Sequence, residues 1–194
     1  MNNNMMQDIP EQIYSEKYLN EHIKFVGQRE IIFSDFNNIK PAIATFQINT
    51  CVAIVGYDEN NKIGFIAHYD AYTLINIYDD IVSNLKKNYT SKNISNEFFF
   101  NIHLVCGNIN RSERLVQKLY ESFCKIKFSD VIFTFKDKNI KQKGLKSILL
   151  DTQNGKLYDD FDKSLIFFDS ELYNRYLILL KNYENKTNLI FIDN

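Results

Sequence analysis

The chain has 194 residues, of which 45% are hydrophobic, and a net charge of −1 from 23 basic and 24 acidic side chains. This length and composition suit a sizeable core that forms without disulfides or metal. The balanced charge argues against a nucleic-acid-binding protein, which needs a clustered positive surface. The three cysteines, Cys51, Cys106 and Cys124, are odd in number and lack a CxxC pair. We therefore expect no disulfide framework, no metal site and no other cofactor.

The compartment is predicted from features that the sequence lacks. The N-terminal segment has neither the basic region nor the apolar region of a secretory signal peptide. No stretch is long and apolar enough to span a bilayer. Together with reduced thiols, these features predict a cytoplasmic protein with no membrane span. They leave open delivery into a host cell, as an effector, by a route that needs no cleavable signal.

The elements predicted in the first half are mostly strands. Residues 1–12 are polar and Asn-rich, which predicts a flexible tail, and residues 13–26 have a weakly helical or mixed pattern. Strands are then predicted where runs rich in Val, Ile and Phe are bounded by polar turns: 29–33, 43–48, 51–57 and 63–69. An amphipathic helix is predicted over 71–88, where apolar residues recur at spacings of three and four: Leu74, Ile77, Ile81 and Leu85.

The second half mixes strands with helices. Helices are predicted over 112–125, capped by Asn110 or Ser112, and over 171–180. Strands are predicted over 97–105, 131–136 and 189–192, with a hairpin of 147–152 and 156–158 around the turn at Asn154-Gly155. Because strands and helices intermix, the sequence predicts one α+β domain over 13–194, with a mixed or antiparallel β-sandwich core and flanking helices.

The predicted hairpin of strands 51–57 and 63–69 carries a cysteine and a histidine. If its loop is the two-residue Glu59-Asn60, Cys51 directly faces His68, with Cβ atoms about 4.5–5.5 Å apart. An imidazole at that distance can take the thiol proton and generate the nucleophilic thiolate. A lone cysteine or histidine in a strand is more commonly a core residue. The joint placement favours a catalytic pair, although a shift of one residue in register would put His68 on the opposite face.

This segment resembles the signature of the CheD family. The resemblance is carried by the following residues: Thr45, Thr50-Cys51-Val52-Ala53, Asp58, Ile63-Gly64 and His68. In that family a threonine lies six positions before the catalytic cysteine and the catalytic histidine seventeen after it, as Thr45 and His68 do here. A weaker similarity in the order of elements continues to Tyr158. The resemblance places the family core at about 40–160 and leaves 161–194 as a C-terminal extension.

The resemblance implies a fold and a reaction. CheD proteins are chemoreceptor glutamine deamidases, similar in catalytic core to the cytotoxic necrotizing factor toxins. A CheD-like protein is a cysteine-dependent amidohydrolase that converts a reactive glutamine of a protein substrate to glutamate and releases ammonia. Cys51 would then be the nucleophile and His68 its acid–base partner. Thr45 would orient His68 or bind the substrate amide, or would be an ordinary strand threonine.

The sequence departs from the family where substrate contacts are expected. Tyr69-Asp70-Ala71 follows His68 in place of an apolar Met-Leu-Pro, and a Lys-rich segment at 139–144 replaces a glycine-rich loop. The target protein is therefore not predicted, whether it serves a chemotaxis-like role in the same cell or belongs to a host, and neither is the oligomeric state.

Three other functions are weighed against deamidation. A transglutaminase would use the same site if an amine, and not water, resolved the thioester. A non-catalytic CheD-like interaction protein would keep the fold without turnover. A cysteine protease is disfavoured, because a deamidase site admits a side chain and not a main-chain strand. Cys106 and Cys124 are expected to be packed thiols, with Cys106 a candidate neighbour of the site because it precedes Gly107.

Overall fold

The computed structural model describes residues 21–89, 97–126, 130–141, 146–159, 170–181 and 184–192. The predicted tail at 1–12 and most of the segment predicted as weakly helical or mixed lie outside these ranges, as does part of the Lys-rich segment at 139–144. Within them, no helix is both long and apolar enough to cross a bilayer.

Ten strands are present in the described part of the chain. In chain order they are β1 (Ile23–Val26), β2 (Glu30–Asp35), β3 (Ala42–Ile48), β4 (Val52–Asp58), β5 (Ile63–Tyr69), β6 (Phe98–Cys106), β7 (Val131–Lys141), β8 (Lys146–Asp151), β9 (Lys156–Asp159) and β10 (Ile190–Phe191). A π-helical turn at Tyr78–Ser83 leads into helix α1 (Asn84–Tyr89), which is followed by α2 (Ile109–Lys125) and α3 (Ser170–Lys181).

The strands form two sheets. One has four strands in the order β1-β3-β8-β9, and the other has six in the order β10-β2-β5-β4-β6-β7. Each sheet is mixed, because β1–β3, β6–β7 and β10–β2 are parallel pairs and the remaining pairs are antiparallel. The predicted α+β class and mixed β-rich core are confirmed. The short strand β10 attaches the C-terminal extension to the six-stranded sheet beside β2.

The six-stranded sheet is the middle layer: the helices pack on one of its faces and the four-stranded sheet on the other. Alternate residues of its strands face these two sides. Val52 and Phe65 belong to a buried cluster that includes residues of the helices, such as Leu85 and Leu119. The intervening residues of β4 and β5 belong to a second cluster shared with the four-stranded sheet: Ala53, Val55, Ile66, Ile43, Ile148 and Leu150. Burial of each Val, Leu or Ile side chain in this cluster stabilises the fold by about 1.5–3 kcal/mol.

The first predicted helix begins later than expected. Residues 71–76 form a turn and a non-helical segment, in which the Asp70 carboxylate accepts hydrogen bonds from the Tyr72 backbone N–H and the Thr73 hydroxyl. Leu74, counted as part of the apolar face, is 45% exposed. The helix predicted from the apolar spacing is too long at its N-terminal end, because hydrogen bonds to the Asp70 side chain hold the backbone in a turn and not in a helix.

Helix α2 begins three residues earlier than predicted. Its N-cap is Asn108, and neither Asn110 nor Ser112 occupies that position. The Asn108 backbone N–H donates to the Asn49 carbonyl, and the Ser112 hydroxyl donates to the Asn108 carbonyl. The start of the helix is thus fixed by a tertiary contact to the loop before Cys51, which has no local signal in the sequence.

Candidate active site

The hairpin that carries the predicted pair has a different register from the one expected. The last pair of β4 and β5 is Asp58 with Ile63, so the loop has four residues, and His68 lies opposite Ala53. The expected direct opposition of Cys51 and His68 is wrong. The register differs by two residues, which preserves the face of the sheet. Cys51, one residue before β4, therefore belongs to the face of Ala53 and lies diagonal to His68 across the ladder.

The side chain of Asp58 explains the four-residue loop. Its carboxylate accepts hydrogen bonds from the backbone N–H groups of Asn60 and Asn61, at 2.9 and 3.1 Å, and from the Asn61 side chain. Lys62 closes the loop in the left-handed region, with φ of 51°. Asp58 is therefore a turn-forming residue, which is a common role for aspartate.

His68 and Thr45 meet between the two sheets. The Thr45 Oγ1 atom on β3 lies 2.8 Å from His68 Nδ1 on β5, and both side chains are buried. The hydroxyl has one hydrogen, which it donates to the Val26 carbonyl at 2.8 Å. It must therefore accept from His68, which places the imidazole proton on Nδ1 and leaves Nε2 as the basic nitrogen.

The basic Nε2 atom of His68 is buried and has no hydrogen-bond partner among the described residues. Burial lowers the pKa of His68 to about 4, and the negative charge of Asp70 opposes this shift. His68 is therefore neutral near neutral pH. An unpaired buried acceptor costs about 1–3 kcal/mol, so its presence calls for a functional explanation.

Cys51 is 2% exposed and is covered by Gln28. The Gln28 Nε2 atom donates to Cys51 Sγ at 2.9 Å. Burial raises the pKa of the Cys51 thiol; the hydrogen bond from Gln28 opposes this shift, and the Asp70 carboxylate adds to it. The resting state thus has a neutral thiol and a neutral imidazole that are not hydrogen-bonded to each other, and both groups experience the charge of Asp70.

Gln28, Arg29 and Asp70 are residues of this site that sequence reasoning missed. Arg29 donates through Nε to Asp70 at 2.7 Å, and the two side chains are 1% and 2% exposed. The Arg29 backbone N–H donates to the His68 carbonyl at 2.8 Å. The sequence does contain a signal, since Asp70 lies two residues beyond His68, where the alternation of a strand returns a side chain to the same face.

The other two cysteines lie away from the site. Cys106 pairs with Val52 and belongs to the cluster on the helix side of the sheet, so it is not a neighbour of Cys51. Cys124 is exposed, which corrects the expectation that it is packed. It follows Phe123, which is 4% exposed, and one residue turns a helical side chain away from the buried face.

Two cavities lie near the site. One of about 320 Å³ is lined in part by Gln28 and Arg29, together with Ile178 of α3 and Ile190 of β10. Another of about 330 Å³ is lined by Ala71–Ile75 and residues of α2, and neither cavity is lined by Cys51 or His68. Within the described ranges, no group of three or more His, Cys, Asp or Glu side chains is arranged to hold a metal ion.

Comparison with known proteins finds a distant similarity to a viral protein. The chain is 27% identical over 154 residues to R721 of Acanthamoeba polyphaga mimivirus, an uncharacterized protein. The aligned region covers 69% of this chain and 56% of that relative, so the chain corresponds to little more than half of the viral protein. No protein-family model matches the chain.

Proposed function

We propose that this protein is a protein-glutamine deamidase in which Cys51 is the nucleophile, His68 the general acid and base, and Thr45 the residue that orients His68. The observation that carries the proposal is the Thr45–His68 hydrogen bond, because it directs the basic Nε2 atom away from Thr45 and leaves it unpaired within the described core. A histidine with only a structural role would be expected to satisfy both ring nitrogens.

The fold proposed for this site is CheD-like. The spacing of Thr45, Cys51 and His68 supports it. The order of elements supports it too: the β4–β5 hairpin is followed by α1, β6, α2 and the β8–β9 hairpin, as in the resemblance drawn from the sequence.

The reaction begins with attack on the substrate carboxamide. His68 Nε2 takes the thiol proton as Sγ of Cys51 forms a bond to the side-chain carbonyl carbon of glutamine, and the carbonyl oxygen becomes an oxyanion. Collapse of this tetrahedral species breaks the carbon–nitrogen bond. The leaving nitrogen takes the proton from His68 and departs as ammonia, which leaves a thioester on Cys51.

Water completes the reaction. His68 Nε2 removes a proton from water as its oxygen attacks the thioester carbon, and the carbon–sulfur bond then breaks. The thiolate of Cys51 recovers the proton from His68, and the product is a glutamate side chain. No oxidant or cofactor enters this balance, since glutamine and water give glutamate and ammonia.

The resting state proposed for the pair is neutral. The pKa of the Cys51 thiol is raised and that of His68 is lowered, both chiefly by burial, so a thiolate–imidazolium pair is not favoured before substrate binds. Proton transfer to His68 would accompany attack, which matches a histidine whose lone pair is available.

Ammonia release tests the proposal. The full chain is incubated with β-casein and with benzyloxycarbonyl-Gln-Gly, and ammonia is measured by a coupled glutamate dehydrogenase assay. We expect release by the wild type and by Cys124→Ala, which removes an exposed thiol, and none by Cys51→Ala or His68→Gln. Equal ammonia release by the wild type and Cys51→Ala would show that Cys51 is not the nucleophile. A labelled amine added to the same assay separates transfer to an amine from hydrolysis.

A non-catalytic interaction protein is the second candidate function, and one observation favours it. Cys51 is almost fully buried and its thiol pKa is raised, as for an ordinary core cysteine. For such a protein, Cys51→Ala would leave every activity unchanged. The rate at which iodoacetamide alkylates Cys51 would also be the same in the wild type and in His68→Gln, whereas a general base makes that rate depend on His68.

A further inference from the structure

Gln28 touches the sulfur atom of the candidate nucleophile, and the deamidation mechanism above gives it no role. Its Nε2 atom lies 2.9 Å from Cys51 Sγ. A side-chain amide nitrogen has two hydrogens. One is directed at the sulfur, and the structure shows no partner for the other within the described part of the chain.

The turn that carries Gln28 is held in place from both sides. The Gly27 backbone N–H donates to the Glu30 carboxylate at 2.7 Å, and Glu30 accepts from Arg175 of α3 at 2.9 Å. On the other side, the Arg29 backbone N–H bonds the His68 carbonyl, and the Arg29 side chain bonds Asp70. These contacts fix both neighbours of Gln28 to the strand that carries His68 and to α3.

Arg29 also has a backbone conformation that is unfavourable for a residue with a side chain. Its φ is 62°, in the left-handed region, and its side chain is 1% exposed. Such strain persists only where the surroundings over-determine it, and it is concentrated at functional sites. A turn fixed in this way holds the backbone of Gln28 in place next to Cys51.

We propose that Gln28 is a further catalytic residue, whose side-chain amide donates one hydrogen bond to the Cys51 thiolate and another to the oxyanion formed on the substrate carboxamide. This inference rests on the proposed function and deepens it. The oxyanion forms on the carbon that bonds to Sγ, so a donor 2.9 Å from Sγ is within reach of it. Preorganised donors of this kind are commonly among the largest contributions to catalysis.

The pKa of the Cys51 thiol reports on the hydrogen bond from Gln28, because the neighbouring charged groups stay the same when Gln28 is replaced. Asp70 and Arg29 act on the pKa of Cys51 in opposite directions, and His68 lies diagonal to it. A change at Gln28 alters none of these three side chains. The pH at which Cys51 becomes half ionised, measured as the midpoint of its alkylation rate with iodoacetamide, therefore responds to the donor itself.

Three substitutions separate donation from coverage. Gln28→Met keeps the length of the side chain without the N–H, Gln28→Glu replaces the donor by a charge, and Gln28→Ala removes both cover and donor. We expect the midpoint to rise in Gln28→Met and to rise most in Gln28→Glu. In Gln28→Ala, hydration of the uncovered thiol opposes the loss of the donor, so its midpoint should lie below that of Gln28→Met. Only Gln28→Ala should also raise the limiting alkylation rate, because it opens access. The matched control is Gln117→Met on the exposed face of α2, with a midpoint equal to that of the wild type.

Turnover provides a second measurement. With β-casein as the probe, Gln28→Met should lower kcat on the order of 10²-fold with little change in KM, because the donor acts on the transition state. Equal midpoints, or equal kcat, for the wild type and Gln28→Met would overturn the role of Gln28. If the midpoints shift as expected while even the wild type releases no ammonia, Gln28 is a donor to the thiolate and it is the proposed deamidation that fails.

Discussion

Arg29 and Asp70 form an ion pair that is almost completely buried beside the candidate site, with Nε and Oδ2 2.7 Å apart and side chains 1% and 2% exposed. The pair joins the turn that carries Gln28 to the residue two positions beyond His68. Arg29 is further bonded to the carbonyl of Asn185, at 2.8 Å. The geometry of the thiol, its cover and the imidazole therefore depends on this contact.

Removal of one partner of this pair should destabilise the protein strongly. Asp70→Ala leaves the Arg29 charge buried without its carboxylate, and we expect a loss of about 3–5 kcal/mol in the free energy of unfolding. Urea denaturation measures it. The double variant Arg29→Met with Asp70→Ala should lose less than the sum of the two single changes. The partly exposed pair Lys86–Asp130 is the control: Asp130→Ala should cost less than about 1 kcal/mol. Equal losses at the two sites would contradict the structural role of the buried pair.

The hydroxyl of Thr45 should matter for both stability and turnover. Thr45→Val removes the acceptor for His68 Nδ1–H and the donor to Val26, so we expect a loss of about 1–3 kcal/mol. Because the imidazole is then no longer oriented, kcat on β-casein should fall on the order of 10²-fold. Thr45→Ser, which retains the hydroxyl, should recover most of both quantities. If Thr45→Val and Thr45→Ser have the same kcat, Thr45 is only a strand residue.

The pH dependence of stability should reveal the neutral histidine. The pKa of His68 is about 4 in the folded protein against 6.5 in the unfolded chain. As pH falls from 6.5 to 4, the unfolded state gains a proton that the folded state does not, so stability decreases by about 3 kcal/mol. The buried Asp80 acts in the opposite direction. Its pKa is raised to about 6 in the folded protein, so its contribution to stability is lost as pH rises from 3.8 to about 6.

A comparison with His68→Gln isolates the histidine from Asp80. In urea titrations at several pH values, the wild type should lose about 3 kcal/mol relative to His68→Gln between pH 6.5 and 4. Parallel curves of unfolding free energy against pH for the two proteins would show that the pKa of His68 is not lowered in the folded state.

The Cys51 thiol should ionise at a higher pH than an ordinary cysteine. Burial raises the pKa of this thiol above its ordinary value of 9.0. The thiolate absorbs at about 240 nm, so the difference spectrum between the wild type and Cys51→Ala should show no thiolate near neutral pH and a rise only above pH 9.0. A thiolate signal near neutral pH would instead support a preformed ion pair with His68.

Parts of the fold and site that depend on local periodicity could be predicted from the sequence. The Asn154-Gly155 turn was sufficient to predict the β8–β9 hairpin. Cys51 and His68 were predicted on one face from an assumed two-residue loop, and they share a face because the observed four-residue loop differs from it by an even number. The hairpin register was not predictable, because the Asp58 carboxylate selects a longer loop through hydrogen bonds to backbone groups.

Parts that depend on contacts distant in sequence were missed. Gln28 is 23 residues from Cys51 along the chain, and Arg29 is 41 residues from Asp70. Neither contact leaves a periodic pattern, since each arises where the turn between β1 and β2 meets an end of the β4–β5 hairpin. The spacing of Thr45 to His68 carried a hypothesis about chemistry, but the sequence did not predict the hydrogen bond to Val26 that sets the imidazole tautomer.

The most direct test of the central claim is the detection of an acyl group on Cys51. The wild type is mixed with benzyloxycarbonyl-Gln-Gly, quenched in acid within the first turnover, and examined by intact mass and peptide mapping. We predict an adduct on Cys51 with the mass of the probe less one ammonia, removable by hydroxylamine, present in Cys124→Ala and absent from Cys51→Ala. Ammonia release without any adduct on Cys51, or release that persists in Cys51→Ala, would contradict the assignment of Cys51 as the nucleophile.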